Sequence, residues 1–502
     1  MAAVFAGVKG AGVLDFVCAW YLKAADYIRQ ADALARHSRE SGNRSSPAGS
    51  EDGIRCAFVS TNSITQGEQV GILWAELYRR GMHIQFAHRT FKWSNEARGK
   101  AAVFCVIVGF ALGEANNPRL FDYEKKDGDP QEILVHQINA YLVDADPILL
   151  PNRKGALCRV PPMLEGSALI DDGHLVLSDE EMLELSRSQP EVRSWIKPFA
   201  AGSDYINGVQ RWCLWLAEAS PIDIKAVPEV MRRLECVRGF RLNSGRQATK
   251  ALAATPSLFG EIRQPASRYV MLPKTSSERR SYVPMGFLEP DFVINNTSLS
   301  VADASLYHFG VLTSQMHMAW LRSVGGRLKS DYRYSAGIVY NNFPWPELSG
   351  APSKSDSRLR GNDEQEERRI GEQGERGNDA PDAHGNDAPA ARAQDGQGHK
   401  HRAAIEAAAQ AVLGARAQFP EATLADLYDP LTMPPALVKA HAALDKAVDA
   451  AYLAAEKAAG RKPPRLDTDA ERVAFLFQRY QALTSLLPAD KPKKPRKAKG
   501  AA

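Results

Sequence analysis

Apolar residues recur with two different periods in the first part of the chain, and these periods predict alternating helices and strands. Residues 13–35 and 68–80 carry apolar side chains at helical spacing, and Gly81 is expected to end the second helix. Strands are predicted from short apolar runs rich in β-branched residues, at 54–60, 84–87 and 101–110. This order of elements predicts part of an α/β sheet with helices covering both faces.

The rest of the chain shows three further patterns. Several prolines between folded regions predict a connector over residues 126–202. Residues 203–348 alternate strand-like and helix-like runs, which predicts a mixed α/β domain. Ala- and Leu-rich helices are predicted at 403–418, 435–459 and 468–486. We therefore predict an α/β domain over 1–125, then the mixed domain, then a small helical domain over 403–488.

Two polar segments interrupt this pattern. Residues 37–53 and 349–402 contain almost no large apolar side chains, and Gly-Asn-Asp recurs in the second at 361–363, 377–379 and 385–387. Such composition cannot bury a core, so we predict an inserted loop and a disordered low-complexity linker. The tail over 489–502 is basic, which suits either phosphate binding or a solvated chain end.

Composition narrows the class of protein only a little. The net charge of +4 does not by itself indicate a nucleic-acid partner. The 6 cysteines form no Cys-x-x-Cys pair, and Cys105 lies inside an apolar run, so we expect buried thiols in a reducing compartment and no metal site. The sequence has no apolar run long enough for a membrane span and no signal peptide, so we expect no membrane association and a cytoplasmic location.

An aromatic segment lies between two of the predicted strands. The sequence HRTFKWSNEARGK, residues 88–100, is predicted to be a loop that connects them. Enzymes that modify a base take it out of the duplex and stack it between side chains. Phe91 is our first candidate for such stacking and Trp93 the second; the alternative is that both rings only pack the loop.

A basic and aromatic segment in the mixed domain is the candidate for DNA contact. Arg279 and Arg280 are adjacent in the sequence SSERRSY, and arginine pairs bidentately with guanine or phosphate. The candidate residues are Lys274, Ser276, Ser277, Arg279, Arg280, Lys329 and Arg333, and Arg263, Arg268, Arg327 and Tyr332 extend the same surface. For each one the alternative is an ordinary solvated side chain.

Long segments of the chain resemble the MmeI-like restriction–modification family. They include VLDFVCAWYLKAADYI, IRCAFVSTNSITQGEQVGILW, HRTFKWSNEARGKAAVFCVIVGF, YVMLPKTSSERRSYVPMGF, GRLKSDYRYSAGIVYNNFPWPE and AERVAFLFQRYQALTSLLP. The resemblance covers nearly the whole chain except residues 37–53 and 351–402. It implies an adenine-N6 DNA methyltransferase that uses S-adenosylmethionine (SAM) on double-stranded DNA. It also implies a class I methyltransferase sheet, base stacking at Phe91, and a cofactor and base pocket lined around Asp15 and Phe16.

The chain departs from the family pattern in one respect. Family members carry a Gly-rich SAM loop and an Asn-Pro-Pro-Phe/Tyr tetrapeptide, both upstream of the first segment matched here. Residues 116–119 read Asn-Asn-Pro-Arg, and the glycines of 7–12 follow no predicted strand. We therefore expect the C-terminal portion of such an enzyme, inactive unless an upstream polypeptide completes the sheet. The alternatives are a non-catalytic, sequence-specific DNA-binding module and the remnant of a disrupted gene.

Overall fold

The computed structural model describes residues 3–40, 53–93, 103–123, 125, 127–348 and 388–485. The predicted succession of an α/β domain, a mixed α/β domain and a helical domain is confirmed. Most of the predicted inserted loop, much of the aromatic segment 88–100 and the whole basic tail lie outside the described residues.

The first domain is a five-stranded sheet with two helices. Its elements are α1 (Val17–Glu40), β1 (Arg55–Thr61), α2 (Glu68–Arg79), β2 (Met82–Trp93), β3 (Val103–Leu112), β4 (Arg119–Asp122) and β5 (Gln131–Leu134). The strand order is β1-β3-β2-β4-β5. β3 runs antiparallel to both β1 and β2, whereas β4 runs parallel to β2. β1 and β2 are therefore parallel to each other and joined by the α2 crossover.

Both helices of this domain pack on one face of the sheet. The Tyr21 ring of α1 lies 5.0 Å from Phe58 and 5.4 Å from Phe110, and Trp74 of α2 lies 6.5 Å from Tyr21. On the opposite face Val59 is 49% exposed. The prediction that helices cover both faces was therefore wrong for the described residues, because α1 and α2 lie side by side on the same face.

Strand β2 is longer than predicted. Residues Phe91 and Trp93 were expected in a loop, but the strand continues to Trp93 and pairs with β3 as far as Trp93↔Val103. The pairing contains irregularities between Ile84 and Phe86 and between His88 and Phe91. These bulges break the strict alternation of apolar residues, which is why the sequence pattern alone ended the strand too early.

Three sheets build the middle of the chain. Their strands are β6 (Met163–Glu165), β7 (Val176–Leu177), β8 (Ile196–Ala200), β9 (Arg211–Leu214), β10 (Tyr269–Pro273), β11 (Thr275–Ser276), β12 (Gly286–Leu288), β13 (Val293–Ile294), β14 (Ser298–Ala302), β15 (Gly326–Leu328) and β16 (Asp331–Arg333). The helices between them are α3 (Asp179–Ser188), α4 (Gly202–Asn207), α5 (Pro221–Ala226), α6 (Pro228–Leu242), α7 (Gln247–Ala251), α8 (Leu306–Leu312) and α9 (Gln315–Val324). The strand orders are β12-β10-β14-β6, β13-β8-β9-β7 and β11-β16-β15.

The predicted connector over 126–202 is not a separate segment. Strand β6 pairs with β14, with Met163 opposite Val301, and β8 pairs in parallel with β13. Residues assigned to the connector therefore supply strands to the sheets of the mixed domain. The prediction failed because these pairings join segments far apart in sequence, where local composition carries no signal.

The C-terminal helices are α10 (Ala388–Ala417), α11 (Leu424–Leu427), α12 (Pro435–Ala458) and α13 (Asp469–Ser485). The last two agree closely with prediction. Helix α10 begins inside the segment predicted to be a linker, so that prediction was wrong for residues 388–402. Four alanines at 388–393 favour helix, and the packed part of α10 after residue 402 propagates it through Gly396 and Gly398, which have low helix propensity.

One hydrophobic core joins the three domains. It extends from Leu14 to Tyr480, and the Phe477 ring of α13 lies 5.2 Å from Tyr141 and 5.1 Å from Trp320. All six cysteines are free thiols. Among the helices that the structure describes, none is long and apolar enough to cross a membrane.

Candidate cofactor edge and nucleic-acid interface

Asp15 lies just before α1 and ties together three segments at the end of β1. Its Oδ2 accepts hydrogen bonds from Ser63 Oγ at 2.7 Å and from Gln69 Nε2 at 2.9 Å, and its backbone N–H donates to Gln69 Oε1 at 2.8 Å. Ser63 in turn contacts Thr61, the last residue of β1, at 3.0 Å. We call Asp15, Thr61, Ser63 and Gln69 the Asp15 cluster. Asp15 itself is exposed.

The side chains beside Asp15 differ in what they offer a ligand. Phe16 is 59% exposed, so its ring is accessible. Cys18 is fully buried, and burial together with the Asp15 charge raises the pKa of its thiol to about 12. This thiol is therefore protonated at neutral pH and is not a nucleophile.

Phe91 belongs to a row of stacked rings on the sheet face opposite α1 and α2. Its ring stacks on Tyr123, with 5.2 Å between centroids, and Trp93 lies 6.1 Å away and is 47% exposed. Tyr123 OH lies 2.9 Å from His88 Nδ1, and His88 stacks on Phe121 at 4.3 Å. Burial, and secondly Arg119, lowers the pKa of His88, so its ring is neutral at pH 7.

The strand register places Phe91 and the Asp15 cluster at the same end of the sheet. Thr61 of β1 and Phe91 of β2 both lie opposite Cys105 of β3. Neighbouring strands are about 4.8 Å apart, so the backbones of Thr61 and Phe91 are separated by about 10 Å along this row. Residues opposite one another in a sheet share a face. The candidate base-stacking residue therefore shares an end of the sheet with the candidate cofactor residue.

Sequence reasoning did not identify Tyr123, His88, Ser63 or Gln69 as parts of these sites. For Tyr123 a signal existed, because Arg119 and Phe121 alternate along β4 and Tyr123, the residue just after the strand, continues that alternation. Ser63 and Gln69 carried no comparable signal, since their role depends on the fold bringing them to Asp15.

The three-stranded sheet β11-β16-β15 brings most of the predicted DNA-contacting residues together. Thr275 lies opposite Arg333 and Ser276 opposite Tyr332, so the segment 276–280 leaves the sheet beside the β15–β16 hairpin. Lys329 occupies the hairpin turn with a positive φ of 59°. Lys329, Arg333 and Arg279 are exposed, whereas Ser277 and Arg280 are half-buried.

Several of these predicted residues are already engaged within the protein. Lys274 Nζ pairs with Glu165 at 2.5 Å, and Arg279 approaches Asp429 at 3.6 Å. Burial lowers the pKa of the Arg280 guanidinium. Ser276 is only 3% exposed, because pairing of β11 with β16 buries its side chain, and its direct contact with DNA stays a prediction.

The other arginines of the predicted surface are also held by protein partners. Arg263 pairs with Glu261 and Glu165, and Arg268 pairs with Glu289. Arg327 stacks on Tyr332, with 4.2 Å between its Cζ and the ring centroid. Within the described residues no group of three or more His, Cys, Asp or Glu side chains is placed to hold a metal ion.

Three family models match consecutive parts of the chain. They are described as the MmeI DNA-methyltransferase domain over residues 1–122, the MmeI target recognition domain over 144–347, and the MmeI C-terminal domain over 397–488. The chain belongs to the MmeI family. The recognition-domain model begins well before residue 203, in agreement with the strands that the predicted connector contributes.

Two relatives show how much of the family pattern is present. The chain is 34% identical to DNA methyltransferase A of Bacillus subtilis (strain 168) over 485 residues, which is 96% of this chain and 45% of that protein. It is 39% identical to the type IIL restriction–modification enzyme MmeI, solved in complex with DNA, with a TM-score of 0.75 over 97% of this chain and 55% of that one. The chain therefore spans about half the length of the relatives it matches.

Proposed function

We propose that this chain is the DNA-recognising, C-terminal portion of a site-specific DNA methyltransferase of a restriction–modification system, acting in the cytoplasm. The proposed reaction is transfer of the SAM methyl group to N6 of an adenine in double-stranded DNA. The observation that carries the proposal is the register that places Phe91 and the Asp15 cluster at one end of the sheet.

In this proposal Phe91 stacks on the flipped adenine. The Phe91 ring is half-buried and supported from behind by Tyr123, which is itself held through His88. A supported ring loses little freedom when a base stacks on it, and base–aromatic stacking contributes about 1–3 kcal/mol. Trp93, which is more exposed and lies at the end of β2, is the second candidate for the same contact.

Asp15 and Phe16 fit one side of a SAM site. Among the described residues the hydrogen bonds to the Asp15 carboxylate go to Oδ2, which leaves Oδ1 available to accept from a hydroxyl or ammonium group. The exposed Phe16 ring offers an apolar contact for the cofactor. SAM supplies the electrophilic methyl group; these residues of the chain would bind and orient it.

The SAM site also requires chain that precedes this sheet in the family order. In the described residues β1 pairs on one side only, with β3, and Arg55, Ala57 and Val59 of β1 are exposed. A cleft at the opposite end of the sheet from Phe91, around the start of β1 and the end of β3, is lined by residues of both faces, among them Arg55, His88 and Arg36 of α1. We propose that an upstream polypeptide carrying the Gly-rich loop and the Asn-Pro-Pro-Phe/Tyr tetrapeptide pairs with β1 and covers its exposed face.

DNA is proposed to bind the sheet β11-β16-β15. Lys329, Arg333 and Arg279 are the exposed cations there and are expected to contact phosphates, whereas Arg280 and Ser277 are more recessed. Lys274 is expected to contact a DNA phosphate only after its ion pair with Glu165 has broken. A DNA-binding module without chemistry is the second candidate, favoured by the contrast between this formed surface and the open edge of β1.

A methyl-transfer assay tests the proposed reaction. The chain is combined with the upstream polypeptide, duplex DNA and tritiated SAM, and the modified base is identified by mass spectrometry. We expect N6-methyladenine, a large loss of transfer with Phe91→Ala, and little change with Phe419→Ala, a partly exposed phenylalanine in the C-terminal domain. Methylcytosine as the product, or full activity of Phe91→Ala, would contradict the proposal.

A further inference from the structure

A contact between the first domain and the recognition domain lies between the two candidate sites. We call this contact the interdomain junction, formed by Gln66, Gly67, Arg322, Val324, Gly326 and Arg327. Its centre is a close approach of two backbones: the Gly67 N–H donates to Val324 O at 3.0 Å. Gly67 has a φ of +72°, and a Cβ added to it would lie 3.1 Å from Gly326 Cα. Both the conformation and the spacing therefore require glycine at this position.

Side chains reinforce this backbone contact from both domains. Arg327 donates from Nε to Gln66 Oε1 at 3.3 Å and from Nη2 to Arg322 O at 3.0 Å. Gln66 Nε2 donates to the same Arg322 carbonyl at 3.5 Å. A planar guanidinium that stacks on a ring and donates in two fixed directions holds its neighbours in one geometry. The position of β15 therefore sets the position of Gln66.

Each end of the junction is close in sequence to a candidate site. On the recognition side, Lys329 lies two residues after Arg327 in the same hairpin, and Arg333 lies opposite Gly326 in the register. On the other side, Gln69 follows Gln66 by three residues and exchanges two hydrogen bonds with Asp15. The hairpin turn and the Asp15 cluster are thus connected through the junction by segments only two and three residues long.

We propose that the interdomain junction couples DNA engagement by the β15–β16 hairpin to the geometry of the Asp15 cluster, with Arg327 as a positioning residue that acts through Gln66. The proposal rests on the proposed function, since it takes duplex DNA as the ligand of the hairpin. DNA that holds the hairpin fixes Gly326 and Arg327, and these fix Gln66 and the start of α2. The cofactor edge is then best ordered when the recognition domain is seated on DNA.

Hydrogen–deuterium exchange on the full chain measures this coupling directly. The ligand is a short duplex selected on the wild-type chain from a randomised pool. Two peptides are followed: residues 326–334, which contain the hairpin, and residues 62–70, which contain the Gly67 amide. We expect DNA to slow exchange in both peptides, by about fivefold or more in the second, the lower range of measured coupling between sites.

Variants separate coupling from simple loss of fold. In Arg327→Gln we expect the duplex to protect residues 326–334 as before but to leave residues 62–70 unprotected. Gln66→Glu keeps an acceptor for Arg327 and should retain the protection, whereas Gln66→Ala should lose it. The matched control is Arg402→Gln, because Arg402 also stacks on a tyrosine across a domain boundary, 4.9 Å from Tyr307, and does not touch the junction.

The outcomes distinguish this proposal from the proposed function. If the wild-type chain binds no duplex, the proposed function fails and the coupling fails with it. If the duplex protects the hairpin and leaves residues 62–70 unchanged, only the coupling is overturned. Equal protection of residues 62–70 in the wild type and in Gln66→Ala would also overturn it, and this variant removes only contacts of a half-buried side chain, so it serves if Arg327→Gln does not fold.

Discussion

The environment of Asp445, on helix α12, predicts that the stability of the folded protein depends on pH. Its carboxylate accepts hydrogen bonds from the backbone N–H of Gln315 and from Tyr282 OH, both at 2.7 Å. Gln315 is the first residue of α9, and Tyr282 follows the segment that carries Arg279 and Arg280. The C-terminal domain therefore holds the recognition surface through one acidic side chain.

The size of the change in the free energy of unfolding follows from the pKa of this carboxyl. Burial is the main cause that raises the pKa of Asp445 from 3.8 to about 6. The folded state then binds more protons than the unfolded state between these values, so stability falls as pH rises through the window. A shift of roughly 2 units corresponds to about 3 kcal/mol, which is lost gradually as pH rises from about 3 to about 7.

Asp445→Asn removes the charge and keeps an acceptor and a donor for the two partners. Denaturant unfolding of wild type and variant, measured between pH 4 and pH 8, should show the variant gaining on the wild type by about 2–3 kcal/mol as pH rises from 4 to 7, then no further change. Asp445→Ala should cost about 1–3 kcal/mol because both partners lose their acceptor. A difference between wild type and Asn variant that is constant with pH would show that the pKa of Asp445 is not raised in the folded protein.

Three further predictions concern the candidate sites. Phe91→Ala should lower methyl transfer by roughly 5- to 150-fold, the equivalent of 1–3 kcal/mol of stacking, with duplex affinity in a filter-binding assay nearly unchanged; a parallel loss of affinity would instead indicate a structural role. Lys329→Ala and Arg333→Gln should each reduce the slope of log affinity against log salt by about 1, as expected for phosphate contacts, and an unchanged slope would exclude such contacts. Ser276→Ala should leave duplex affinity unchanged. It should also stabilise the protein by up to about 1 kcal/mol, because the buried Ser276 hydroxyl has no hydrogen-bond partner in the described structure. A tenfold loss of duplex affinity would show that Ser276 contacts DNA.

Local patterns predicted those parts of the fold that local forces determine. Helix α2 and strand β3 were located to within two residues at each end, because their apolar periods are unbroken and Gly81 ends the helix with a φ of +76°. Strand β2 was truncated in the prediction because bulges interrupt its period. The connector was misassigned because β6 pairs with β14 and β8 pairs with β13, each roughly a hundred residues further along the chain, in addition to the local pairing of β8 with β9.

The candidate sites divide in the same way. Cations such as Lys329 and Arg333 are visible as residue types in a polar segment of the sequence, and the structure exposes them. Ser276 has the same composition around it but is buried, since exposure depends on the strand that pairs beside it. The Asp15 cluster joins residues some 50 positions apart, so its hydrogen bonds follow from the fold and could not be read from spacing.

SAM binding measured by calorimetry shows whether this chain contributes an incomplete cofactor site that an upstream polypeptide completes. The chain is titrated alone and in complex with the upstream polypeptide that carries the Gly-rich loop and the Asn-Pro-Pro-Phe/Tyr tetrapeptide. We predict no binding to the chain alone and saturable binding to the complex, weakened by Asp15→Ala. Binding by the chain alone would contradict the claim that its cofactor site is incomplete, and no binding in either case would contradict its assignment as part of a methyltransferase.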